Sequence, residues 1–126
     1  MYNIKIRDHV MIVHSFKDKT FGPAQKLHGA TYIVDVSFFA EELNKHNIVI
    51  DISKAQEILK VVLTPLKFQN LDDIDVFNGN LTTSEFMAKY IHDKVKEMCS
   101  DFFKGKISVT IGESHIAWAT YEGDSK

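Results

Sequence analysis

His28-Gly29-Ala30-Thr31-Tyr32-Ile33-Val34-Asp35-Val36-Ser37-Phe38-Phe39 is the stretch on which the reading of this chain turns. Ala30, Tyr32, Val34, Val36 and Phe38 recur at a period of two, against Thr31, Ile33, Asp35 and Ser37 on the other face. β-branched and aromatic side chains suit a pleated surface. Both faces hold apolar residues, so residues 28–39 read as a central, substantially buried strand.

Toward the N-terminus, residues 2–14 alternate in the same way. Ile4, Ile6, Val10 and Ile12 share one face, and His14 continues their parity. Residues 15–27 read as a loop, with Lys17-Asp18-Lys19 and Gly22-Pro23 as its turn signals. Toward the C-terminus, a polar turn at 44–47 leads into a short strand, Ile48-Val49-Ile50. Ser53, or alternatively Asp51, caps a first helix. Ile52, Ala55, Ile58, Leu59, Val62 and Leu63 recur there at helical spacing, and Pro65 stops it. Residues 66–81 look irregular.

Thr82-Thr83-Ser84-Glu85 matches a capping box, with Thr82 as N-cap and Glu85 reaching back. The second helix then runs to about Phe103. Met87, Ile91, Met98 and Phe102 make its stripe, widened by Phe86, Tyr90 and Val95. After Gly105, residues 106–113 and 115–122 read as two further strands. The order β-β-α-α-β-β predicts one α+β domain over residues 1–126, an antiparallel sheet with two helices on one face. Tyr32, Val34, Val36 and Phe38 form so apolar a face that subunit packing is expected as well.

Bulk composition excludes several classes. The 126 residues are 44% hydrophobic and 25% charged, with a net charge of -2. That suits a globular domain rather than a disordered one. Charges are dispersed, with no basic stripe for nucleic acid and no phosphate loop. No stretch approaches a membrane span, and residues 1–7 lack an apolar signal region. With a lone Cys99 and therefore no internal disulfide, the cytoplasm is the expected location. Cys99 lies among apolar helix positions and reads as an inert core thiol.

Several residues together resemble a known family. They are the strand–helix order, His14 ending strand one, His28-Gly29 opening strand two, Ile50-Asp51-Ile52, Asn70, Thr83-Ser84-Glu85 and Glu113 ending strand three. In this order they are similar to 6-pyruvoyltetrahydropterin synthase and to 6-carboxytetrahydropterin synthase of the queuosine pathway. The resemblance covers nearly the whole chain. It implies the tunnelling fold, a homo-oligomer (commonly a hexamer) and sites lying between subunits. It also implies a pterin-like ligand, gripped at its aminopyrimidine edge by Glu113 and assisted by Thr83, with Glu85 and His28 as further contacts.

The departures are as informative as the matches. The resemblance implies a zinc held by three histidines, two of which match His14 and His28. The third position is Ala30, which has no donor atom. A catalytic zinc takes three protein ligands and an open position, so zinc is not expected here, nor any other cofactor. The family's cysteine falls at Ala24, and its Asp-His pair falls at Pro65-Leu66. None of these can move a proton, so the synthase reaction is not expected.

Each site residue has a plainer reading. Glu113 suits a solvated strand end, and the capping box alone accounts for Glu85. Thr83 suits any helix start, and His28 suits a hydrogen-bonded pocket. His9 and His14 lie on opposite strand faces, while His46 and His92 read as surface residues. A Glu113–His115–His14 grouping is a conceivable new acid–base site. Three functions remain open: a pterin-binding protein, a lyase- or aldolase-like enzyme with rewired acid–base residues, and a structural subunit with an empty pocket. No nucleic acid or membrane partner is expected.

Overall fold

The computed structural model describes residues 1–125. Four strands form one antiparallel sheet in sequence order: β1 (Tyr2–His14), β2 (His28–Ala40), β3 (Lys106–Ser114) and β4 (Ala117–Asp124). Two helices, α1 (Ile52–Leu63) and α2 (Ser84–Cys99), cover one face. That face carries Tyr32, Val34, Val36 and Phe38 of β2 with Ile107, Val109 and Ile111 of β3, all buried. Each such side chain contributes about 1.5–3 kcal/mol over its exposed state. The face predicted to need a partner subunit is therefore covered within the chain. The opposite face is polar at β1, where Lys5, Arg7 and His9 are exposed and Arg7 pairs with Asp35 at 2.7 Å.

Several local expectations are corrected. Ile48-Val49-Ile50 is not a strand. Its backbone is drawn into a turn on Asn44, whose N–H donates to the Ile48 carbonyl and whose side chain accepts from His46 and Ile48. Asp51, the alternative, caps α1 by accepting from the Lys54 N–H. The cap of α2 is Thr83 rather than Thr82, and its hydroxyl accepts from the Phe86 N–H. The capping box thus slips by one residue, and Glu85 stands in the first turn without a capping bond of its own. α2 ends at Cys99, short of Phe103, and Phe103 turns in to meet the Phe38 ring at 5.3 Å. Met98 and Phe102 are exposed, and the buried stripe runs through Met87, Ala88, Ile91, His92, Val95 and Cys99.

His92 is thus a core residue and not a surface one. Its Nδ1 lies 3.0 Å from Asp93 Oδ1 and its Nε2 3.2 Å from the Gly123 carbonyl. β4 admits the ring because position 123 has no side chain: a Cβ there would lie 3.0 Å from His92 Cε1. The 3-10 turns Thr64–Leu66, Leu71–Asp73 and Asp75–Phe77 carry the chain from α1 to α2. Another, Lys19–Gln25, lies within the β1–β2 connection. Among the described residues no helix is long and apolar enough to cross a membrane.

Candidate functional site

The pairing of β1 with β2 sets His14 directly opposite His28. Their rings meet edge to face at 4.6 Å between centroids. The even-numbered positions of β1 face the helices, so His14 is buried where Met11 and His9 are exposed. The connection after β1 folds back through the Phe16 N–H to Ala24 carbonyl bond. It lays the Phe16 ring 4.6 Å from His14 and 5.6 Å from His28, backed by Phe21.

Two hydroxyls face Nδ1 of His14: Thr82 Oγ1 at 3.0 Å and the Tyr32 phenol at 3.5 Å. Thr82 and Tyr32 are both buried. Nε2 of His14 is buried without a hydrogen-bond partner, and the nearest acidic group is Glu113, whose Oε1 lies 3.9 Å away. Glu113 reaches this position from the end of β3, beside an irregularity between Gly112 and Ser114. Burial, then the charge of His28, push the His14 pKa down, against a smaller upward pull from Glu113 and Asp72. Burial and the neighbouring Glu113 charge push the Tyr32 phenol up. His28 Nδ1 donates to the Lys26 carbonyl at 2.9 Å. On the other flank, the Ser15 hydroxyl donates to Asp72 at 2.6 Å. Ser15 and Asp72 line a cavity of about 300 Å³ with Lys17, Asn78 and Asn80.

The sequence-derived candidates divide accordingly. His14, His28 and Glu113 are brought to one place. Thr83 lies one residue away but spends its hydroxyl on the helix cap. Glu85 is a first-turn residue of α2. His115 is exposed in the β3–β4 turn and makes no bond or ion pair with His14 or Glu113, so the three-residue grouping is reduced to two. Ala30 pairs with Ile12, two positions from His28 on β2. Among the described residues, no group of three or more His, Cys, Asp or Glu side chains is placed to hold a metal ion. Leu66 is buried in the core, whereas Pro65, Lys67 and Phe68 are exposed. Phe68 has a φ of 58° and donates its N–H to the Met11 carbonyl. Burial pushes the Cys99 thiol up to about 11, as for an inert core cysteine.

Sequence reasoning missed Thr82, Tyr32 and Phe16. Two adjacent threonines before a helix offer one hydroxyl for the cap and a spare. A tyrosine on a strand of valines and phenylalanines needs a buried partner for its hydroxyl. Those were the available signals, and Phe16 offered none.

Comparison with known proteins gives a consistent picture. The family model described as 6-pyruvoyl tetrahydropterin synthase matches residues 3–124. A Caenorhabditis elegans relative is 31% identical over 111 residues, spanning 83% of this chain and 76% of its own. The 6-pyruvoyl tetrahydrobiopterin synthase of Dictyostelium discoideum is 28% identical over 108 residues, 84% of this chain and 78% of that one. The solved structure of Caenorhabditis elegans 6-pyruvoyl tetrahydropterin synthase superposes with a TM-score of 0.83 at 27% identity, covering 97% of this chain and 95% of that one.

Proposed function

This chain belongs to the 6-pyruvoyl tetrahydropterin synthase family, and on that premise we propose that it binds a pterin-like heterocycle through Glu113 without performing the zinc-dependent synthase reaction. The observation that carries this reading is the pair formed by the Glu113 carboxylate and the unpartnered Nε2 of His14, 3.9 Å apart at the end of the sheet. A carboxylate accepts two parallel N–H bonds from an aminopyrimidine edge, a charge-assisted and directional contact. His28 meets the His14 ring edge to face at 4.6 Å beside this pair.

The family's zinc does not fit the donors present. His14 and His28 supply two imidazoles, position 30 supplies none, and the Phe16 ring packs against both histidines. A catalytic zinc needs three protein ligands. Ala24, Pro65 and Leu66 bring no group that titrates, so the family's proton transfer has no counterpart at those positions.

In this reading the chain works as a homo-oligomer, with six subunits expected. Among the described residues, the outer edge of β4, and of β1 before the contact with residues 68–70, is free to pair with another copy. A second reading, a lyase- or aldolase-like enzyme on the same ligand, has one observation in its favour: Nε2 of His14 is unpartnered, and burial, which pushes its pKa down, favours the neutral imidazole that accepts a proton.

The test is a fluorescence titration of the purified protein with a panel of pterins, beside Glu113→Ala. Binding is expected to weaken by more than about tenfold in the variant, as for loss of a hydrogen bond to a charged group. No saturable binding by the wild type would end the pterin reading. Stoichiometric zinc in the dialysed protein would overturn the metal-free one, and turnover of any bound pterin would favour the enzyme. Sedimentation as a monomer would overturn the oligomer.

A further inference from the structure

We propose that Asn78 is a site of spontaneous covalent modification: the backbone nitrogen of Gly79 attacks the Asn78 carboxamide, and the succinimide so formed opens to aspartate and isoaspartate.

The chain has six asparagines, followed by Ile4, Lys45, Ile48, Leu71, Gly79 and Leu81. Ring closure brings the next backbone nitrogen onto Cγ of the asparagine. A side chain on the following residue crowds that nitrogen, and glycine has none. The fold narrows the choice further. Asn44 and Asn70 spend their Oδ1 atoms on backbone N–H groups. Ile48, which follows Asn47, donates its N–H to Asn44. Asn3 is held in β1 opposite Phe39.

Asn78 follows the 3-10 turn Asp75–Phe77, with φ -57° and ψ 128°. Gly79 comes next at φ 82°, and the Asn80 N–H donates to the Phe77 carbonyl at 2.9 Å. These angles and that bond make residues 77–80 a type II turn, whose third position requires positive φ and so favours glycine. Turn geometry thus accounts for Gly79, and the reactivity of the pair comes with it. Asn78 and Gly79 are both exposed, and a Cβ at position 79 would meet no atom within 4 Å. Among the described residues the Gly79 N–H makes no backbone hydrogen bond, so none has to break before the nitrogen reacts.

The step balances with water as the co-reactant. Gly79 N loses its proton and bonds to Asn78 Cγ, the Cγ–Nδ2 bond breaks, and ammonia leaves. Water then opens the ring. Attack at Cγ gives aspartate; attack at the backbone carbonyl gives isoaspartate, whose main chain runs through Cγ and is one atom longer. Either product carries a carboxylate, ionised at neutral pH. One neutral amide becomes one anion, so the net charge moves from -2 to -3. The new charge joins Asp72 and Lys17 in the cavity that Asn78 lines. Isoaspartate also lengthens the chain between the buried residues Phe77 and Thr82, and the Asn80–Phe77 turn bond is lost.

The experiment ages the full-length protein in warm, mildly alkaline buffer, where the reacting nitrogen deprotonates more readily. Isoelectric focusing follows the charge, and peptide mapping by mass spectrometry locates it. A protein-isoaspartate carboxyl methyltransferase with a labelled methyl donor detects the isoaspartyl product. The expected result is a more acidic band displaced by a single charge, with position 78 as its source and a faster rise at higher pH. Asn78→Gln is expected to lose the band, because the longer side chain must close a six-membered ring. Gly79→Ala is expected to slow it; should the strain of alanine at positive φ prevent folding, the wild-type map still decides. Survival of Asn78 in the folded protein, whether or not the guanidinium-unfolded chain converts, overturns the proposal. Earlier modification at another asparagine, or a band that persists in Asn78→Gln, overturns it as well.

Discussion

Two buried histidines sit at opposite ends of the covered sheet face, and they differ in one respect. His92, on α2, has both ring nitrogens engaged, by Asp93 and by the Gly123 carbonyl, and its ring meets Tyr121 edge to face at 4.8 Å. His14, at the end of β1, has Nδ1 engaged by Thr82 and Nε2 left bare. The first is a fastening between a helix and an edge strand. The second is a buried polar group whose last bond the chain does not supply. Burial alone does not separate a structural histidine from a functional one; the count of satisfied nitrogens does.

The contrast makes predictions that descend in size. His92→Leu is expected to destabilise by about 1–3 kcal/mol, because the part-buried Gly123 carbonyl loses its donor. Chemical denaturation checks this, and a loss below that of His14→Leu would break the comparison. Gly123→Ala pushes a Cβ to 3.0 Å from the same ring and is expected to cost about 1–2 kcal/mol, read in the same unfolding series. His14→Leu removes the orphan nitrogen but leaves the buried Thr82 hydroxyl without its ring partner, so its cost is expected at about 1 kcal/mol, while pterin binding falls more than about tenfold.

The smallest effect is in pH. The folded-state pKa of His14 is depressed by burial and by His28, so the unfolded chain takes up the proton first on acidification. The stability tied to a neutral His14 is fully present above the ordinary value of 6.5 and is lost as pH falls through the depressed one. Denaturation midpoints measured downward from that pH should decline in the wild type and decline less in His14→Leu. An identical decline in both would remove His14 as the cause.

How much of this was legible in the sequence follows from the reach of each interaction. β1 and β2 were readable because alternation is local, as in Ile4, Ile6, Val10 and Ile12 or Tyr32, Val34, Val36 and Phe38. The alternation did not reveal what covers β2, and its apolar face was assigned to a partner subunit when α1 and α2 already bury it. Ile48-Val49-Ile50 has strand-like residues, yet Asn44 takes its backbone into a turn. The α2 cap was misplaced by one residue because Thr82 and Thr83 are chemically equivalent in a string of letters. Only the neighbour of each hydroxyl, His14 for one and the Phe86 N–H for the other, distinguishes them.

By itself the sequence determined the order of strands and helices, the family resemblance and the missing donor at Ala30, all of which depend on residues near one another along the chain. The tertiary structure alone decided which histidine is satisfied and which is not. His14 meets Thr82 across 68 positions and His92 meets Gly123 across 31, and no periodicity encodes a partner at that distance. A hydrogen bond is satisfied or left open by three-dimensional approach within about 3 Å, which only the folded chain sets.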